Sequence, residues 1–161
     1  MKFATYQDGS RDGTLLLVSR DLTRAVKVAD VATTLQALLE DWASLAPGLE
    51  QRYAALNDGT LTDAFALESQ ALHSPLPRSY QWADGSAYLN HVQLVRQARG
   101  AEMPETFWHD PLMYQGGSDS FLAPGADIVC VSEEHGIDFE GEIAVITDDV
   151  PMHVSPEQAE D

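Results

Sequence analysis

Apolar residues recur along the chain with two different periods, and the switch between them divides it. Met1–Tyr6 and Thr14–Ser19 read as strands joined through Asp8-Gly9 and Asp12-Gly13, and Ala25–Val28 reads as a third. From residue 31 the period becomes helical. Val31, Leu35, Leu38, Trp42 and Leu45 fall on one face, with Asp30 placed to cap the start. Pro47-Gly48 is expected to interrupt. A second short helix carrying Leu49, Tyr53 and Leu56 then ends at Asn57-Asp58-Gly59. The tryptophan and leucines of this block are core residues by pattern and carry no chemistry.

His73-Ser-Pro-Leu-Pro77 is the candidate boundary, because two prolines in three positions hold the chain extended and stop either neighbour propagating. The expected domains are a module at 1–73 and a second region at 74–161. Residues 78–121 hold two tryptophans, three tyrosines, two phenylalanines and two histidines among many Gly, Ser and Asp residues. Such a polar-aromatic mixture lines sites more often than it fills cores.

Strand-like alternation returns in Gly136-Ile-Asp-Phe-Glu-Gly-Glu-Ile-Ala-Val-Ile-Thr147. As a strand it points Ile137, Phe139, Ile143 and Val145 one way, and Asp138, Glu140 and Glu142 the other. The two glutamates then stand about 6.7 Å apart on one face. At that spacing they repel by roughly 2–3 kcal/mol at an effective dielectric near 20, which invites a cation between them. The same pattern equally fits a half-buried strand with a solvated acidic face.

Charge narrows the class of partner. Nine basic against 26 acidic residues among 161 give a net charge of −17. Nucleic acid and anionic membranes would be repelled. A hard divalent cation would be favoured, although surface acidity for solubility looks alike. The single Cys130 excludes an internal disulfide and a zinc-finger arrangement, so a cytoplasmic location is expected. The longest early apolar run, Leu15-Leu-Leu-Val18, is too short to span a bilayer.

Within Tyr80–Gly100, Asp84 reads as a helix N-cap, with Leu89, Val92 and Val95 as the apolar stripe and Gly100 as the stop. His91 follows Asp84 by seven residues, two turns on and near the same azimuth. That pair could present a metal ligand and a nearby base, or simply a capping Asp and a surface His. Tyr114-Gln-Gly-Gly117 reads as a tight turn exposing backbone N–H groups, or as a plain glycine turn.

In this order, Ser74-Pro-Leu-Pro, Tyr80-Gln-Trp-Ala-Asp-Gly-Ser, Met113-Tyr-Gln-Gly and Ile137-Asp-Phe-Glu-Gly-Glu resemble the fumarylacetoacetate hydrolase family, in particular its bacterial members. The likeness implies an α+β fold: a small N-terminal β/α module, then the opening part of a mixed β-sandwich or roll catalytic domain. It implies a divalent cation, Mg²⁺ or Ca²⁺ with Mn²⁺ as a substitute, held by Asp84, Glu140 and Glu142. By the same match His91 is the base that activates water, and Arg99 and Tyr114 touch the substrate. The implied reaction is hydrolysis of a carbon–carbon bond in a β-diketone acid such as fumarylacetoacetate or an acylpyruvate, as in aromatic catabolism, by a homodimer when full length.

Ser86 stands where the animal hydrolases carry an aromatic, which leaves the substrate open, with Tyr88 a candidate for the same space. A fourth ligand Asp and a catalytic lysine of the family have no counterpart here. The end of the chain agrees with a longer protein: Ser155 and Gln158 form a capping box around Pro156, a helix start followed by almost no helix. The 161 residues alone are therefore expected to be inactive, with 110–161 less well packed than 1–73. A decarboxylase or isomerase of the same family, or a non-catalytic acidic metal-binding or structural fragment, fits the same residues.

Overall fold

The computed structural model describes residues 1–67, 71–137, 139–147 and 149–160. Its architecture is mixed α+β, with small sheets and few helices. Three strands open the chain: β1 (Lys2–Tyr6), β2 (Thr14–Val18) and β3 (Arg24–Lys27). They form an antiparallel sheet in the order β1-β2-β3, extended beside β3 by the two-residue β4 (Phe65–Ala66). On the far edge Tyr6 bridges to Leu72, and the His73 amide donates to Thr5 O at 2.9 Å. Both edges of the sheet are thus paired along part of their length, which blunts edge-to-edge association.

The uninterrupted run Leu15–Val18 is explained by its central place. Leu15 and Leu17 join Val26, Val28, Leu35, Leu38, Leu49 and Leu56 in one cluster, while Leu16, Val18 and Ala25 meet Phe65 and Leu72 on the opposite face. A strand covered on both sides has no polar face, so its residues need not alternate.

Two helices cover the first cluster, α1 (Leu35–Glu40) and α2 (Trp42–Asn57). Their limits correct the sequence reading in three places. Thr34, not Asp30, caps α1, its hydroxyl accepting from the Ala37 amide at 3.1 Å. Asp30 instead takes both guanidinium nitrogens of Arg52, at 2.8 and 2.7 Å. Pro47 does not interrupt, and α2 runs through it. Near a helix start a proline forfeits only one internal hydrogen bond, and Leu49 and Leu56 are fully buried beyond it. Trp42 is not core: it stays 42% exposed, with its ring edge-on to Phe3 at 5.9 Å.

The β2–β3 turn makes a testable acid-sensitive element. Asp21 Oδ1 accepts from Ser19 Oγ at 2.6 Å, Thr23 Oγ1 at 2.8 Å and the Thr23 amide at 3.1 Å. These bonds, the Ser19 hydroxyl foremost, pull the Asp21 carboxyl from its usual 3.8 to about 2. A folded pKa below the unfolded one adds stability above about pH 4 that is lost as pH falls towards 2. Asp21→Asn is therefore expected to flatten that part of the stability–pH curve in acid titrations followed by urea melts. An unchanged slope between pH 4 and 2 would contradict the assignment.

Beyond residue 80 come β5 (Ala83–Ser86), α3 (Leu89–Ala98), a 3₁₀ turn at Glu105–Trp108, and β6 (Leu112–Gln115). Contacts divide the chain into two units, 1–126 and 127–161. Within the second unit no described residue belongs to a strand, which corrects the strand expected at 137–146. A strand needs a ladder partner for its N–H and C=O groups, and alternation alone does not supply one. Phe139, Ile143 and Val145 are accordingly 80% exposed or more. Asp138, placed by that reading on the glutamates' face, lies outside the described residues. The capping box near the end does form: Ser155 N donates to Gln158 Oε1 at 3.0 Å and Gln158 N to Ser155 Oγ at 3.4 Å. No described helix is long and apolar enough to cross a membrane.

Candidate active site

The ribbon of β5 and β6 gathers the first two candidate residues. Its antiparallel register sets Ala83 opposite Gln115, Asp84 opposite Tyr114, Gly85 opposite Met113 and Ser86 opposite Leu112. Residues directly opposite share a face, with Cβ atoms typically about 5 Å apart. The carboxylate of Asp84 and the phenol of Tyr114 therefore rise from the same side of the ribbon. Asp84 is partly buried and Tyr114 is exposed.

Trp82 shares that face, two residues before Asp84. The Gly116 amide donates to Trp82 O at 3.3 Å, continuing the pairing by one step. Glycine is required at 116 by the ring above it, since a Cβ there would lie 2.1 Å from Trp82 Cζ3. Laid across the glycine, the indole meets the Tyr114 ring edge-on at 5.8 Å and 79°. Such aromatic pairs favour this geometry and restrict the rotamers of both rings. Trp82 thus steadies Tyr114.

This arrangement overturns two readings of the sequence. Asp84 is a strand residue and not a helix cap; α3 begins at Leu89, with Tyr88 as an N-cap that makes no side-chain bond. Tyr114 and Gln115 likewise end a strand and do not open a tight turn. In both cases the ladder gives the backbone partners that a local turn or cap would have supplied. The seven-residue spacing of Asp84 and His91 consequently does not place them on one helix face.

His91 is exposed in the first turn of α3, whose Val92 is buried. Arg99 lies at the opposite end, about 12 Å along the axis. The stop there is well defined: Gly100 takes φ of 66°, its amide donates to Gln97 O at 3.1 Å, and the Ala101 amide donates to Arg96 O at 2.9 Å. These reciprocal bonds close the last turn and fix the backbone that carries Arg99. Glu140 and Glu142 belong to the 127–161 unit and are both exposed. The structure therefore joins Asp84 with Tyr114, sets His91 and Arg99 at the two ends of one helix, and carries the glutamates on the other unit.

The carboxylates of Asp84, Glu140 and Glu142 are each of the right chemistry for a hard divalent cation, which prefers oxygen over nitrogen or sulfur. Within either unit alone, no three described His, Cys, Asp or Glu side chains converge.

Arg78 carried no sequence signal, and nothing read at Tyr80 or Asp12 pointed to their partners. Arg78 and Tyr80 border a cleft of about 670 Å³ together with Arg11, Glu40, Ser118 and Asp119. Arg78 binds Asp12, 66 positions earlier, and Tyr80 binds Glu40, 40 positions earlier. Separations of that size leave no local periodicity.

Residues 1–78 match the family described as fumarylacetoacetase N-terminal domain 2. Residues 81–161 match the fumarylacetoacetate (FAA) hydrolase C-terminal family. No curated protein matches the chain. With both matches in order and together reaching from residue 1 to 161, the chain belongs to the fumarylacetoacetate hydrolase family, whose activities are of hydrolase or lyase type.

Proposed function

We propose that the protein hydrolyses a carbon–carbon bond in a β-diketone acid of fumarylacetoacetate or acylpyruvate type. The observation that carries this reading is the cross-strand pairing of Asp84 with Tyr114, steadied by Trp82, in a chain of this family. Asp84, Glu140 and Glu142 would hold the divalent ion, Mg²⁺ or Ca²⁺, with Mn²⁺ able to replace it. When bound, such an ion polarises a substrate carbonyl and offsets negative charge on its oxygens.

The remaining roles fall to side chains. The Arg99 guanidinium pairs with the substrate carboxylate, for which its planar fork is suited. The Tyr114 hydroxyl donates to a substrate oxygen beside Asp84. The His91 imidazole takes a proton from water, whose oxygen then bonds to the carbonyl carbon under attack. The bond to the neighbouring carbon breaks, its electron pair is spread onto the adjacent carbonyl, and the proton held by His91 returns to that carbon. The products are a carboxylic acid and an oxo acid, a 2-oxo acid from an acylpyruvate and a 3-oxo acid from fumarylacetoacetate, with no carbon dioxide released. Product analysis separates this reaction from a decarboxylation or an isomerisation.

The 161 residues alone are proposed to turn over little substrate. Ile137, Phe139, Ile143 and Val145 are all at least 64% exposed, so the segment bearing both glutamates lacks the packing that pre-organises a site. A longer protein carrying this chain is the form in which activity is expected. The test is loss of the enol absorbance of an acylpyruvate before and after exhaustive chelation, then with Mg²⁺, Mn²⁺ or Ca²⁺ restored. Turnover is expected to vanish and return. Activity undiminished by chelation would sink the proposal.

A further inference from the structure

The ribbon bearing Asp84 and Tyr114 is rooted by two side-chain links that the proposed chemistry does not use. Arg78 donates from Nε and Nη2 to Asp12 Oδ1 and Oδ2, at 2.6 and 2.8 Å. Tyr80 donates from its hydroxyl to Glu40 Oε1 at 2.5 Å. Asp12 lies in the β1–β2 turn and Glu40 is the last residue of α1, so both anchors belong to the N-terminal sheet and its helix. The guanidinium holds the Asp12 carboxyl below its usual range, and the bond to Glu40 raises the Tyr80 phenol.

Backbone bonds tie the two limbs of the ribbon together at the same level. The Ser79 amide donates to Ser118 O at 2.8 Å, and the Phe121 amide to Pro77 O at 2.8 Å. The incoming limb is further held by Thr5 Oγ1, which donates to Pro75 O at 2.5 Å. From Arg78 to Asp84 the chain can span at most about 20 Å. The limbs are bonded at the root and again from Trp82 with Gly116 through the ladder that pairs Ala83 with Gln115 and Ser86 with Leu112. A tilt at the root is therefore passed on to Asp84 and Tyr114.

We propose that Arg78 and Tyr80 are positioning residues: the Asp12–Arg78 ion pair and the Glu40–Tyr80 hydrogen bond clamp the root of the β5–β6 ribbon to the N-terminal sheet and set where Asp84 and Tyr114 stand. The bidentate geometry supports a real contribution, since an exposed single-contact pair would add little. The catalytic meaning of the clamp rests on the proposed function; the clamp itself does not.

Hydrogen exchange on the full chain tests it. Arg78→Gln and Tyr80→Phe are each expected to speed exchange at Ser79, Gly116 and Phe121 by about three- to fivefold, and together by about tenfold. The Leu15 amide, which donates to Thr33 O in the N-terminal core, serves as the folding control and stays unchanged. The reciprocal swap Asp12→Arg with Arg78→Asp is expected to restore slow exchange. Unchanged exchange in the double variant Arg78→Gln/Tyr80→Phe, or no restoration by the swap, would overturn the clamp. Mn²⁺ affinity is expected to fall by a similar factor in that double variant. An affinity that holds while the ribbon amides loosen would overturn the positioning role. Absence of Mn²⁺ binding in the unaltered protein would fail the metal reading instead, and the amides would still decide the clamp.

Discussion

In a longer protein carrying this chain, replacing His91 by alanine is expected to lower kcat by at least about 10²-fold, the usual scale for removing a general base. Divalent-ion affinity is expected to stay nearly unchanged. The motive is chemical: the proposed ligands are all carboxylates, which leaves the His91 imidazole for proton transfer. Its position also permits the change without collapse, because the residue is exposed and the neighbouring Val92 makes the buried contact of α3. Steady-state kinetics beside a direct ion titration would separate the two effects. Lost ion binding with no separate kinetic defect would make His91 a ligand and its assignment as base wrong.

The second large effect concerns the fold. Leu49→Ala is expected to destabilise the protein by about 3–5 kcal/mol, from lost transfer energy and the cavity left behind. Leu49 is fully buried in α2, in the cluster formed with Leu15, Leu17, Leu38 and Leu56. The native stability of a domain is itself only about 5–15 kcal/mol, so this one truncation would remove a large part of it. Urea melts followed through Trp42, whose ring packs on Phe3 of β1, would report the loss. A shift below about 1 kcal/mol would show that α2 does not hold the sheet as described.

Much of the N-terminal architecture was legible because local signals agree there. The three opening strands fall where apolar runs and Asp-Gly turns put them, and Asn57-Asp58-Gly59 does end α2. The misreadings share a physical cause. Asp30 looked like a cap and was drawn away by Arg52, which is 22 positions distant. Asp84 looked like a cap and was taken into a ladder whose other strand begins 26 residues after β5 ends. Tyr114 and Gln115 looked like a turn for the same reason. Local propensity is a weak prior against a partner brought in by tertiary structure.

For the site, the family resemblance supplied the candidate side chains, whereas the pairing of Asp84 with Tyr114 needed the register. Trp82 could have been suspected, standing two residues before the acidic candidate, but its role depends on Gly116 lying opposite. Arg78 had no readable signal, and Tyr80 was read only as the first residue of a family motif. Around Glu140 and Glu142 the alternation was legible, but no described residue there pairs in a ladder.

In the proposed function, Asp84, Glu140 and Glu142 hold one hard divalent cation. Titration of the protein with Mn²⁺, read as loss of the free-ion electron paramagnetic resonance signal, tests it most directly. One site per chain is expected, weakened about tenfold or more by each of Asp84→Asn, Glu140→Gln and Glu142→Gln, since affinity for such ions follows the count of charged oxygen ligands. Mn²⁺ binding that survives all three substitutions at its original strength would contradict the account.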